Sequence, residues 1–222
     1  MTAEQIVLVG GLWLDASAWN DVVSDLETAV PVSLPVDRGT TLDDQVDAVL
    51  AVVDAAPGKS VVVGHSAASS LAWIVADRRP GKVAKVVLIG GFPNADGENY
   101  SPSFPIVDGL MPFPGWEPFE GPDSADLDAS ARQAFEASAV AVPEPVAKAV
   151  VRLSDERRYD VPLELICPEF SPAEVREWIA EGALPELVKA KHVELVDIDS
   201  GHWPMLTRPA ELAALLKKTT NQ

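Results

Sequence analysis

The chain has 222 residues, enough for one domain with a sizeable core, and 47% of them are apolar. Its formal net charge of −17 opposes nucleic acid and anionic membranes as partners, because phosphate groups would be repelled. No apolar run is long enough to span a bilayer, and the opening MTAEQ lacks the basic region of a secretory leader.

In chain order, extended apolar runs alternate with helical spacing, the pattern of βαβ units around a parallel sheet. Strands are predicted at 6–9, 30–34, 60–63, 83–89, 163–167 and 193–199. Helical spacing covers 16–29, 42–56, 69–78 and 173–181, and 209–218 closes the chain as a helix with Pro209 in its first turn and two lysines at its end. Cys167, the only cysteine, rules out an intrachain disulfide and makes a cytoplasmic location the expectation. It reads either as an inert buried strand residue or as a reactive thiol.

One stretch breaks the rhythm. Pro93, Pro102, Pro105, Pro112, Pro114, Pro118 and Pro122 remove amide donors at a density that prevents regular structure. Phe92, Tyr100, Phe104, Phe113, Trp116 and Phe119 lie among them, and helical spacing returns at 124–139 and 143–153. Residues 94–155 therefore read as a cap within a single domain spanning 1–222, or as a surface excursion anchored by its aromatics.

The sharpest chemical signal is SVVVGHSAASSLAWIVAD, a Val-rich strand running into Gly64-His65-Ser66-Ala67-Ala68 and then at once into a helix. A nucleophile at the tip of so tight a turn sits in a strained conformation, so its neighbours must be small. The alternative is that Ser66 only caps the helix. A serine hydroxyl needs a base to become nucleophilic, and three histidines compete. His65 adjoins the serine and should point elsewhere. His192 opens a strand at the wrong end, since sites form at the carboxyl ends of strands. His202 follows the last strand in Asp199-Ser200-Gly201-His202-Trp203-Pro204 and can lean across to Ser66.

Gly10-Gly11 could suggest a dinucleotide loop, but Leu12, Trp13 and Leu14 follow directly and the G-x-G-x-x-G spacing fails. No Walker-type segment and no clustered metal ligands are present, so the expected chemistry needs no cofactor and no metal.

Gly64-His65-Ser66-Ala67-Ala68 resembles the G-x-S-x-G nucleophile elbow of the α/β-hydrolase family, with Ala68 in place of the final glycine, and GHWPMLTRPAEL resembles that family's C-terminal G-H-x-P segment. The resemblance runs from the first strand to the last helix, without the two leading strands usual in the family. It implies an α/β fold of about six parallel strands flanked by helices, with the cap inserted between the fourth and fifth. It also implies a Ser66–His202–acid triad, the acid lying beyond the strand that precedes the last one. There the chain reads Cys167-Pro168-Glu169-Phe170, so Glu169 stands where an Asp is usual, with Asp96 after the previous strand as the alternative. Asp155, Glu156 and Asp160 read as a charged surface cluster.

The amides of Ala67 and of Leu12, in the loop after the first strand, are the expected oxyanion donors, although the His usual beside that loop's glycine is missing. Trp13, Trp203 and Phe92 are the expected pocket wall. The implied activity is hydrolysis of a small, largely uncharged ester. The alternatives are lyase or perhydrolase chemistry in the same pocket, or a ligand-binding protein that has kept the fold.

Overall fold

Six parallel strands form the central sheet of the computed structural model, which describes residues 5–219. The first four residues of MTAEQ lie outside that range. The chain opens with β1 (Gln5–Val9), a 3-10 turn (Ala16–Trp19), α1 (Asn20–Val23), β2 (Ala29–Pro31), α2 (Leu42–Ala55), β3 (Ser60–His65), α3 (Ala68–Arg78) and β4 (Val83–Ile89). An insertion follows that carries β5 (Leu110–Met111), α4 (Ala129–Ser138), β6 (Val142–Pro143) and α5 (Glu144–Ala147). The chain then completes the sheet with β7 (Leu163–Cys167), α6 (Pro172–Ala180), α7 (Pro185–Lys189), β8 (Val193–Asp197), α8 (Pro204–Thr207) and α9 (Pro209–Thr219).

The order β2-β1-β3-β4-β7-β8 makes the crevice between β1 and β3 the point where the chain turns from one half of the sheet to the other. Open α/β sheets bind their ligands at the carboxyl ends of strands flanking such a point. The central strands are continuous Val/Ile/Leu runs because both of their faces are covered. All of β3 and β7 is buried, as is α3 from Ala68 to Asp77. Edge strand β2 is short and ends at Pro31, which has no amide to give a ladder and is tolerated only at an edge. Among the described residues no helix is long and apolar enough to cross a membrane.

Several predicted elements differ from the structure: the strand expected at 30–34 ends at Pro31, and the one expected at 193–199 ends at Asp197. The helix expected at 16–29 is only a 3-10 turn and the four residues of α1. The helix expected at 124–139 starts later, at Ala129, where the Asp128 carboxylate accepts the Ala131 amide. At 143–153 only one helical turn, α5, forms. Beyond it the backbone pairs with residues 97–101: Gly97 donates to the Val151 carbonyl, Val151 to Glu98 and Tyr100 to Ala149, at 2.7–2.9 Å. The β-branched pair Val150-Val151 suits that extended stem better than a helix.

Both ends of the insertion are anchored on α3. The Ser70 hydroxyl accepts the Asn94 amide at 2.9 Å. The buried Asp77 carboxylate accepts the amides of Ser154 and Asp155 at 2.9 and 2.8 Å, and pairs with buried Arg158 at 3.1 Å. Arg158 also pairs with Glu186 at 3.0 Å, and Glu186 in turn accepts the Trp73 indole N–H at 2.8 Å. Every member of this buried ionic group has a partner, as burial of charge requires.

Candidate active site

Ser66 follows β3, and its amide extends the sheet by donating to the Ile89 carbonyl at 2.8 Å. The backbone then turns sharply at Ser66, with φ of +54°, a left-handed conformation that is uncommon for a residue with a side chain. α3 begins two residues later. Two glycines make the turn sterically possible. A Cβ at Gly64 would collide with the Ala68 carbonyl, and one at Gly91 with the Ser66 carbonyl. Ala68 itself is fully buried, so its methyl group fits the position where related elbows carry glycine.

His202 lies in the loop after β8. Its Nε2 is 2.9 Å from Ser66 Oγ and its Nδ1 is 2.7 Å from Glu169 Oε1. A carboxylate oxygen can only accept, so Nδ1 carries the proton and Nε2 presents a lone pair to the serine hydroxyl. Glu169 occupies the turn between β7 and α6. That turn is fixed by the last strand residue on one side and by a capping box on the other. The Ser171 hydroxyl accepts the Glu174 amide at 3.3 Å, and the Glu174 carboxylate accepts the Ser171 amide at 2.8 Å.

The structure thus brings Ser66, His202 and Glu169 into one hydrogen-bonded chain. Asp96 lies elsewhere: its carboxylate accepts the Leu153 amide at 2.9 Å and ties the stem of the insertion.

Leu12, after β1, and Ala67, after β3, both line a cavity of about 260 Å³ together with Ser66 and His202. Neither amide has a protein acceptor among the described residues. Trp13, Trp203 and Phe92 line the same cavity, joined by Tyr100, Phe104 and Phe119 from the insertion. Trp13 meets Phe104, Phe113 and Phe119 edge-on at centroid distances of 5.1–5.8 Å. Its φ is +65°, its indole N–H donates to the Met111 carbonyl at 3.1 Å, and its own carbonyl accepts the Val140 amide at 2.9 Å. The insertion therefore holds the Leu12-Trp13 loop directly. The wall is aromatic, and its only ionisable side chains are two histidines and Tyr100, whose hydroxyl burial pushes well above the usual tyrosine range.

Three contacts at the site were not anticipated from the sequence. His65 lines the cavity beside Ser66, and its Nε2 lies 2.7 Å from the His202 carbonyl. Burial first, and the nearby His202 second, bring its pKa down to about 3, so the ring is neutral and donates Nε2–H. The His202 amide donates to the Asp123 carbonyl at 2.8 Å, and the Gly201 amide to Asp126 Oδ2 at 2.9 Å. The sequence offered no signal for Asp123 or Asp126. Gly91 could have been suspected from the Gly-Gly pair that closes β4.

Cys167 is buried, and its thiol is pushed up to about 12 by burial and by the carboxylates of Asp197 and Glu169. It stays protonated at neutral pH, which removes the reactive-thiol reading. Of the SDERRYD cluster, Glu156 and Asp160 are exposed, and Asp155 caps the turn that follows it.

A model of the alpha/beta hydrolase family matches residues 6–215. The chain belongs to the alpha/beta hydrolase family. By family it is therefore a hydrolytic enzyme. No curated protein matches it. Among solved structures it is similar to an extracellular alpha/beta-hydrolase from a Paenibacillus species, described as sharing structural and functional homology with tobacco salicylic acid binding protein 2 (18% identity, 99% of this chain and 100% of that chain, TM-score 0.78). It is also similar to the methylesterase MES16 from Arabidopsis (14% identity, 98% and 99% coverage, TM-score 0.77). A third likeness is to polyneuridine aldehyde esterase (20% identity, 98% and 99% coverage, TM-score 0.70). At these identities the likeness is one of fold.

Proposed function

We propose that the protein is a serine esterase for small, largely uncharged carboxylic esters, with Ser66 as nucleophile, His202 as general base and Glu169 as the acid that orients it. The observation that carries this reading is the unbroken path Glu169–His202–Ser66, which ends on a left-handed serine in an aromatic cavity. Two proteins of similar fold, a methylesterase and polyneuridine aldehyde esterase, support ester over amide as the scissile group.

In the first half of the reaction, His202 Nε2 accepts the Ser66 proton as Oγ adds to the ester carbonyl carbon. The oxyanion that forms accepts from the amides of Leu12 and Ala67. Collapse of this intermediate breaks the ester C–O bond, and the imidazolium returns its proton to the departing alcohol. In the second half, His202 takes a proton from water as the water oxygen adds to the acyl carbon; the bond from that carbon to Ser66 Oγ then breaks, the imidazolium returns its proton to Oγ, and the acid leaves. Glu169 accepts from Nδ1–H throughout and steadies the imidazolium.

Residues 94–155 act as a cap that supplies one wall of the cavity and excludes water. The net charge of −17 favours small neutral substrates over phosphate-bearing partners. The lone buried cysteine fits a cytoplasmic place of work.

The test is a panel of neutral esters of graded acyl length, with both products quantified. The wild type is expected to release acid and alcohol in equal amounts with a burst of alcohol, while Ser66→Ala and His202→Gln lose the burst and at least about a thousandfold in rate. Release of no acid from any ester would refute the reading and turn attention to lyase chemistry or ligand binding.

A further inference from the structure

We propose that the cap turn 121–127 is a positioning device for the general base, with Asp126 as its principal residue. This rests on the assignment of His202 as base made above. The base sits on a loop, and a loop backbone must be held from outside if the imidazole is to keep its alignment. Two of the holding bonds come from the cap, at residues far away in sequence. The Gly201 amide donates to Asp126 Oδ2 at 2.9 Å, and the next amide, that of His202, donates to the Asp123 carbonyl at 2.8 Å. The approach is so close that a Cβ at Gly201 would collide with both the Asp123 carbonyl and Asp126 Oδ1.

The turn has its own brace. From α4, Arg132 donates to the Ser124 carbonyl and hydroxyl at 2.9 Å each, to Glu120 Oε1 at 2.9 Å and to the Leu127 carbonyl at 3.3 Å. Ser124 is fully buried and donates its hydroxyl to the Phe119 carbonyl at 2.7 Å. A segment tied this densely is a rigid support, and the object it supports is the Gly201-His202 peptide. The cap therefore cannot lift away from the sheet without releasing the base. Substrate contacts that seat the cap would also align His202.

The experiment compares wild type, Asp126→Ala and Asp126→Asn, each shown to be folded by circular dichroism. Two rates are read: hydrolysis of p-nitrophenyl acetate and covalent modification by a fluorophosphonate. The asparagine keeps an oxygen acceptor for the Gly201 amide, whereas the alanine has none. Asp126→Ala is expected to lose about tenfold to a hundredfold in kcat and in modification rate with KM nearly unchanged. Asp126→Asn should stay within about threefold of wild type, since its acceptor is intact. If Asp126→Ala does not fold, Asp126→Glu, which displaces the carboxylate by one methylene, carries the same expected loss.

Equal rates for wild type and Asp126→Ala would overturn the proposal, as would an Asp126→Asn variant as slow as the alanine. A wild type that neither hydrolyses the ester nor becomes modified would instead overturn the assignment of the base, and the proposal with it.

Discussion

His65 holds His202 by its backbone: the buried imidazole donates Nε2–H to the His202 carbonyl at 2.7 Å. The residue before Ser66 therefore grips the residue hydrogen-bonded to it, and the turn at Ser66 and the loop of His202 are joined twice, once through Ser66 Oγ and once through this peptide. Burial and the nearby His202 hold the ring neutral there. Its folded pKa of about 3 lies below the ordinary value of 6.5, so between those two values the unfolded chain binds the additional proton. Stability from this group is complete above about 6.5 and falls as pH drops toward about 3, by up to about 1.4 kcal/mol per pH unit. Denaturant titrations of wild type and His65→Gln across this window should show the wild type losing stability more steeply. Parallel curves would remove His65 as the cause.

The acid is tested by exchanging carboxylates for amides. Glu169→Gln leaves the contact with His202 but favours the wrong imidazole tautomer, and kcat is expected to fall by about a hundredfold to ten-thousandfold. Asp96→Asn keeps an acceptor for the Leu153 amide, and turnover should be close to wild type. Steady-state kinetics on one ester decide between them.

The grouping of Ser66, His202 and Glu169 was legible in the sequence because its requirements are local. Small residues around Ser66, a loop histidine after the last strand and a carboxylate after β7 each leave a mark in a few adjacent positions. The parallel sheet was legible for a similar reason, since strands covered on both faces read as unbroken apolar runs. What escaped depends on contacts distant in sequence. The insertion folds by aromatic packing and by pairing of 97–101 with 147–151, so 143–153 looks helical in isolation but keeps only the turn Glu144–Ala147 in place. Asp123 and Asp126 meet the loop of Gly201 and His202 across more than seventy positions of sequence, which no local pattern records. Arg158, within a run that reads as charged surface, is buried because Asp77 and Glu186 converge on it.

Gly91 separates β4 from the nucleophile. Adding a methyl group there drives a Cβ into the Ser66 carbonyl, and relief requires the elbow to shift. Gly91→Ala is expected to lower kcat by at least about tenfold and stability by about 1–3 kcal/mol. Both are measurable, by turnover and by denaturant unfolding. An unimpaired Gly91→Ala would show that the elbow has slack.

The cavity beside Ser66 is bounded by aromatic rings. Phe104 lines the cavity and packs edge-on to Trp13 at 5.1 Å, so truncating it extends the space beside the serine. With Phe104→Ala, kcat/KM for longer acyl esters should rise relative to acetate by about tenfold or more. A preference unchanged across the acyl series would place the acyl group elsewhere.

The central claim, that Ser66 is an activated nucleophile, is tested most directly by mapping the site of fluorophosphonate modification by mass spectrometry of the digested protein. Stoichiometric adduct is expected on the peptide containing Ser66, none in Ser66→Ala, and much slower modification in His202→Gln. An unmodified wild type, or a Ser66→Ala variant modified as readily as wild type, would contradict it.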